Sequence, residues 1–204
     1  MVNYPNGEPY HSKHDKKRRH LQVKPKTMTY SNRGMTLERM INASIKYYRE
    51  TGQAVLHKKP TPVQIVNVDY PRRSAAKITE AYFKRASTTD YNGVYRGYYL
   101  DFEAKETKNK TSFPLSNFHE HQIRHMQHCL EQGGIVFVLV YFSHLRQLYL
   151  LDAQYFIDYW EDHLAGGRKS IPLTIFETEG YPISLGYAPQ IPFLQAVDEF
   201  ISTM

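Results

Sequence analysis

The chain has almost no cysteine: Cys129 is alone among 204 residues. One thiol cannot build an internal disulfide framework, so the fold must rest on its core, and a reducing compartment suits it. Long apolar runs are also missing. The longest, GGIVFVLVYF at 133–142, falls far short of the roughly 20 residues a bilayer-spanning helix needs. No apolar stretch of a secretory leader stands near the N-terminus, so a soluble, cytoplasmic protein is expected. Internal repeats are lacking as well. Acidic residues, finally, are scarce where basic ones are dense. Residues 1–33 hold eight Lys and Arg against two acids, and residues 46–85 hold nine against three. Residues 152–204 reverse the balance with two against eight.

A net charge of +6 concentrated in the first 85 residues suits a polyanionic partner, because neutralising phosphates releases counterions. A solvated tail and an ordinary surface would look the same by charge alone. With 41% hydrophobic and 14% aromatic residues, the chain is long enough for one sizeable core plus appendages. Residues 1–33 have few aliphatic side chains and no sustained period, so a disordered tail is expected there when unbound, with one folded domain over 34–204.

Within that domain, Leu37, Ile41, Ile45 and Tyr48 form a helical stripe, with Thr36 as the expected cap and Gly52 as the stop. AVLHKK reads as a short strand. The segment from about 58 to 85 alternates in VQIVNVDY, has prolines at its ends and turns, and carries Lys58, Lys59, Arg72, Arg73, Lys77, Lys84 and Arg85. It reads as a strand-rich basic excursion rather than a core layer. Asn92-Gly93 signals a hairpin turn between the next two strands. A helix capped near Ser116 and ended by Gly133 follows, then GIVFVLVYF, which suits a strand covered on both faces. QLYLLD adds a strand, AQYFIDYWEDH a helix, and the remainder a loose tail. The order of elements gives an α/β fold on a mixed central sheet flanked by helices.

In YYLDFEAKET at 98–107, Leu100, Phe102 and Ala104 share one face, and Asp101, Glu103 and Lys105 share the other. The Asn92-Gly93 turn is expected to bring Asp90 toward Glu103. Two carboxylates and an ammonium then converge. Close carboxylates repel unless a cation joins them, and Mg²⁺ takes oxygen ligands from a couple of carboxylates and a phosphate. Lys105 would reach the attacking water or the charge developing on phosphorus. The constellation suits phosphodiester hydrolysis. An isolated E-x-K is more often an exposed ion-pair strip; the upstream Asp at hairpin distance and the basic chain half favour catalysis.

Gln122 lies among Phe118, Met126 and Ile123 on a helical stripe that should face the core, where a buried amide needs partners. It is either a core amide bonded to backbone or a group near the metal. Thr88, two residues before Asp90, shares its face if both lie on a strand, though β-propensity alone explains a Thr there. Glu38 is a secondary candidate in the expected first turn of the first helix, where the helix dipole also favours an acid. His121, His125 and His128 at i, i+4, i+7 could bind a transition metal, but H-E-x-x-H fails because position 123 is Ile.

SAAKITEAYFKRASTTDYNGVYRGYYLDFEAKETKNKTSFPLSNFHEHQIRHM, with YPISLGYAPQI near the C-terminus and VNYPNG at the start, resembles the RecU family of bacterial Holliday junction resolvases. The likeness runs over most of the chain from about residue 30. It implies a PD-(D/E)xK nuclease with a restriction-endonuclease-like core and a protruding stalk that enters the junction. It also implies a homodimer that uses Mg²⁺, with Mn²⁺ able to substitute, to make paired nicks in four-way junction DNA. Carried over by position, the metal ligands are Thr88, Asp90, Glu103 and Gln122, and the transition-state stabiliser is Lys105. Thr89 stands where the superfamily has a nominal Pro. The resemblance further implies RecA and RuvAB as partners and a bacterial cytoplasmic protein that joins the nucleoid when active. A non-catalytic junction-binding regulator of recombinase and a restriction-like duplex endonuclease remain as alternatives at this point.

Overall fold

The computed structural model describes residues 31–84 and 88–203; the expected disordered tail lies almost wholly outside them. The elements in chain order are α1 (Ser31–Glu50), β1 (Val55–Lys58), β2 (Val63–Asp69), β3 (Lys77–Phe83), β4 (Tyr91–Tyr95), β5 (Tyr98–Thr107), β6 (Ser112–Pro114) and α2 (Glu120–Glu131). They continue with β7 (Ile135–Phe142), β8 (Gln147–Asp152), α3 (Ala153–Leu164), β9 (Ser170–Pro172), α4 (Leu173–Thr178), β10 (Tyr181–Pro182) and α5 (Phe193–Ser202). Six strands form a mixed sheet in the order β1-β4-β5-β7-β8-β10, in which only the β5–β7 pair is parallel. A parallel pair needs a crossover, and α2 lies in the one between β5 and β7.

Burial follows the strand period on both faces. In β7, Ile135, Phe137 and Leu139 join a core with α1 and α5, while Val136, Val138 and Val140 join a second core with α2, α3 and α4. Both faces are therefore dry, as the unbroken apolar run requires. The α1 stripe of Leu37, Ile41, Ile45 and Tyr48 is buried against the first face. Phe102 stacks between Tyr91 and Phe137, each 4.9 Å away, across three adjacent strands. Such ring pairs add about 0.5–1.5 kcal/mol beyond area burial.

The excursion forms a separate ribbon in which β2 pairs antiparallel with β3. Val63, Ile65, Val66, Val68, Ile78, Tyr82 and Phe83 are all exposed on it. It contributes no residue to either core, and Lys84 N–H closes its base by donating to Pro62 O at 2.9 Å. This is the expected strand-rich stalk.

Four local expectations need correction. α1 begins at Ser31, so Thr36 does not cap it, residues 31–33 are helical, and Glu38 sits past the first turn. The α2 cap is His119, because Leu115–Asn117 form a 3-10 turn ahead of it. Residues after α3 are not a loose tail. Phe193, Leu194, Ala196, Val197 and Phe200 give α5 a buried stripe, and Ser44 Oγ accepts from Ile191 N–H at 2.9 Å to tie this region to α1. The dense Pro and Gly of YPISLGYAPQIP hid that stripe.

The fourth correction concerns the hairpin. Asn92 and Gly93 lie inside β4, and the turn is made by Arg96 and Gly97, with φ of 50° and 85°. Left-handed backbone at both central residues is what a tight two-residue hairpin requires. Gly93 serves close approach instead: a Cβ there would lie 2.0 Å from Val55 O and 2.7 Å from Leu56 Cα of the neighbouring strand. The difference matters for register. A turn at 92–93 would set Asp90 opposite Tyr95, whereas the observed pairing of Tyr91 with Phe102 sets Asp90 opposite Glu103.

Candidate active site

Glu103 is fully buried on the α2 side of β5, and Asp90 is exposed just before β4. The Asp90 backbone N–H donates to Glu103 Oε2 at 3.0 Å. Lys105 Nζ lies 3.0 Å from Glu103 Oε1 and 5.1 Å from the centre of the Phe118 ring, so its ammonium is held between a carboxylate and an aromatic face. The three residues named for catalysis thus come together around a buried carboxylate, with Asp90 exposed and Lys105 partly exposed, rather than laid out as an exposed strip.

Glu103 is poorly compensated. Among the described residues, its Oε1 is buried without a hydrogen bond of good geometry, despite the nearby ammonium. Burial pushes the carboxyl up to about 7; Lys105 pulls the other way and Asp90 adds to the rise. A buried, under-satisfied carboxylate oxygen beside an exposed Asp is a donor set that a hard divalent cation fits.

Two residues earlier on the same face, Asp101 presents the opposite case. Its side chain is fully buried, yet Lys59 Nζ donates to Oδ2 at 2.7 Å, Tyr99 Oη donates to Oδ2 at 2.9 Å, and Thr89 Oγ1 donates to Oδ1. His125 Nε2 lies 3.3 Å from Oδ1. Burial would raise this carboxyl, but the hydrogen bonds from His125, Lys59 and Thr89 outweigh it and hold it below the ordinary value. Sequence reasoning gave Asp101 a face and no role. Its signal was its place as the first charged position in the alternation Asp101, Glu103, Lys105.

Thr88 is half-buried, and its hydroxyl donates to Thr89 O at 3.1 Å, which leaves the oxygen's lone pairs available. It lines a cavity of about 370 Å³ with Lys58, Lys59, Pro62, Thr89 and Asp90 at the base of the stalk. Gln122 is buried on α2, where its Oε1 accepts the His119 N–H at 3.2 Å. That is the backbone partner expected of a core amide. Glu38 pairs with Lys58 at 2.5 Å and shares a small cavity with Asp90 and Glu106. The three histidines do not gather around one point. Among the described residues, the group close enough to share a metal is Asp101, His125 and Cys129, within 4.8 Å, and the Lys59 ammonium already stands against Asp101 and His125.

The family model described as Recombination protein U matches residues 32–199. The chain belongs to the RecU family. It is 60% identical over 199 residues to the Holliday junction resolvase RecU of Geobacillus sp. (strain WCH70), covering 98% of this chain and 97% of that protein. It is 63% identical over 174 residues to the protein of the same name from Geobacillus kaustophilus (strain HTA426), covering 85% and 87%. The corresponding protein of Latilactobacillus sakei subsp. sakei (strain 23K) is 54% identical over 201 residues, covering 98% and 95%. Thr88, Asp90, Glu103, Lys105 and Gln122 all fall inside the segment that the RecU model matches. No helix among the described residues is long and apolar enough to cross a membrane.

Proposed function

We propose that this chain is a Mg²⁺-dependent, structure-selective endonuclease that resolves Holliday junctions by paired nicking in recombination and repair. One observation supports it above the rest: in a chain of the RecU family, Asp90, Glu103 and Lys105 converge on one side of a buried strand. Asp90 and Glu103 would hold the cation, with Thr88 and Gln122 as the remaining ligands and Mn²⁺ able to substitute. When bound, the metal would offset charge on the scissile phosphate and activate water. Lys105, steadied by Glu103 and Phe118, supplies a fixed positive charge toward the reacting phosphate.

The stalk supports junction selectivity. Its exposed Tyr70, Tyr82 and Phe83 offer faces for unpaired bases, and its cations offer partners for converging phosphates. A homodimer would set two sites on the two symmetry-related phosphates of a junction. We extend the reading to RecA and RuvAB as partners and to a cytoplasmic enzyme recruited to the nucleoid.

The test is purified protein on a labelled four-way junction and on matched linear duplex, with and without Mg²⁺. Symmetric nicks in the junction alone, dependent on the metal, are expected. Equal cutting of duplex would make it a restriction-like enzyme, and binding without cutting would make it a regulator. Replacing residues 60–80 by a short turn should leave a cooperative melt and abolish the preference for junctions.

A further inference from the structure

The chain carries Thr89 where the superfamily has a nominal Pro, and the structure gives that residue work a Pro could not do. Thr89 is 1% exposed between the half-buried Thr88 and the exposed Asp90. Its hydroxyl donates to Asp101 Oδ1 and accepts from Lys59 Nζ at 2.9 Å. Lys59 also donates its backbone N–H to Asp90 O at 2.7 Å. One lysine thus grips the 89–90 segment twice, once through the side chain of Thr89 and once through the backbone of Asp90.

The far side of this grip is equally fixed. Asp101 belongs to β5, two residues from Glu103, and its oxygens are occupied by Thr89, Lys59 and Tyr99, with His125 of α2 beside them. Lys59 itself follows β1 and precedes Pro60 and Pro62, whose locked φ stiffens the entry to the stalk. The site at Asp90 and the root of the stalk are therefore joined through a polar network centred on the buried Thr89 and Asp101, the kind that holds one geometry.

We propose that Thr89, Lys59 and Asp101 form a positioning latch that holds Asp90 opposite Glu103 and anchors the pair to the base of the stalk. The inference rests on the reading of Asp90 and Glu103 as the metal-binding pair. Groups that orient metal ligands from behind typically contribute about 10- to 100-fold in metal affinity. Thr89 is buried, so the loss of its hydroxyl should appear in metal binding and leave junction affinity alone.

The experiment uses the full chain with Mg²⁺ as the probe. Thr89→Val keeps the shape and removes the hydroxyl, while Thr89→Ser keeps the hydroxyl. Calorimetric Mg²⁺ affinity should fall about tenfold in Thr89→Val and return to within about twofold in Thr89→Ser. The Mg²⁺ concentration that half-saturates junction cleavage should rise by the same factor, and junction affinity in EDTA should not change. If Thr89→Val does not fold, Thr89→Ala carries the same expectation. Unchanged Mg²⁺ binding in a folded Thr89→Val or Thr89→Ala overturns the latch, and so does a Thr89→Ser as defective as Thr89→Val. A wild-type protein that neither binds Mg²⁺ nor cuts junctions would overturn the reading of the site instead.

Discussion

Asp101 and Glu103 are both acids on one strand, two residues apart, pointing to the same face and fully buried. Asp101 meets an ammonium, a phenol, a hydroxyl and an imidazole, and its carboxyl is held low. Glu103 has one ammonium and one backbone N–H, and its carboxyl rises to about 7. Burial is common to both, so partner count makes the difference. A buried carboxylate that is fully answered stabilises the fold, and one left wanting is a candidate to receive a cation.

The largest expected break in this comparison is catalytic. Asp90→Asn and Glu103→Gln keep side-chain shape and remove charge, so nicking in Mg²⁺ should disappear while junction binding survives or tightens. Lys105→Ala should lower the nicking rate about 10²- to 10³-fold with the fold intact, since it removes a preorganised charge. Gel shifts and single-turnover nicking, with circular dichroism as the folding control, measure both. Normal nicking by Asp90→Asn would end the assignment.

Asp101 should behave in the opposite way. Asp101→Asn strips the counter-charge from Lys59, whose side chain keeps only 17% exposure. Breaking a buried pair by removing one partner costs about 3–5 kcal/mol, and the residual exposure of Lys59 places this case near the lower end. Urea unfolding should show that loss for Asp101→Asn and no comparable loss for Glu103→Gln. Equal destabilisation by the two would erase the distinction.

The smallest effect is the pH dependence. Glu103 titrates near 4.5 when unfolded and near 7 when folded, so the fold favours its neutral form. That contribution is full below pH 4.5 and is lost as pH rises toward 7. Glu103→Gln lacks the loss, so in EDTA its Tm advantage over wild type should grow across that window. Asp101 has the reverse sign: its contribution is present above 3.8 and fades as acid brings the pH through its depressed folded value. A flat Tm difference between wild type and Glu103→Gln would remove the claim that burial raises the Glu103 carboxyl.

Much of this was legible in residue order because it depends on short periods. Alternation in 98–107 separated Phe102 from Glu103, the spacing of Leu37, Ile41, Ile45 and Tyr48 marked α1, and the unbroken IVFVLV marked a strand dry on both faces. E-x-K with an upstream Asp pointed to the candidate site. The Asn92-Gly93 signal misled because a glycine can serve a turn or a close approach, and only the position of Val55 O distinguishes the two.

The sequence by itself determined which side chains share a face, since that follows from the backbone period, and it determined the chemistry those side chains can do. The tertiary structure alone decided that the turn lies at Arg96-Gly97 and so sets Asp90 against Glu103, that Lys59 reaches Thr89 and Asp101 from 30 and 42 residues away, and that Glu103 is left short of partners. Those facts depend on which distant segments pack together, and on how much water that packing removes, which no local spacing encodes.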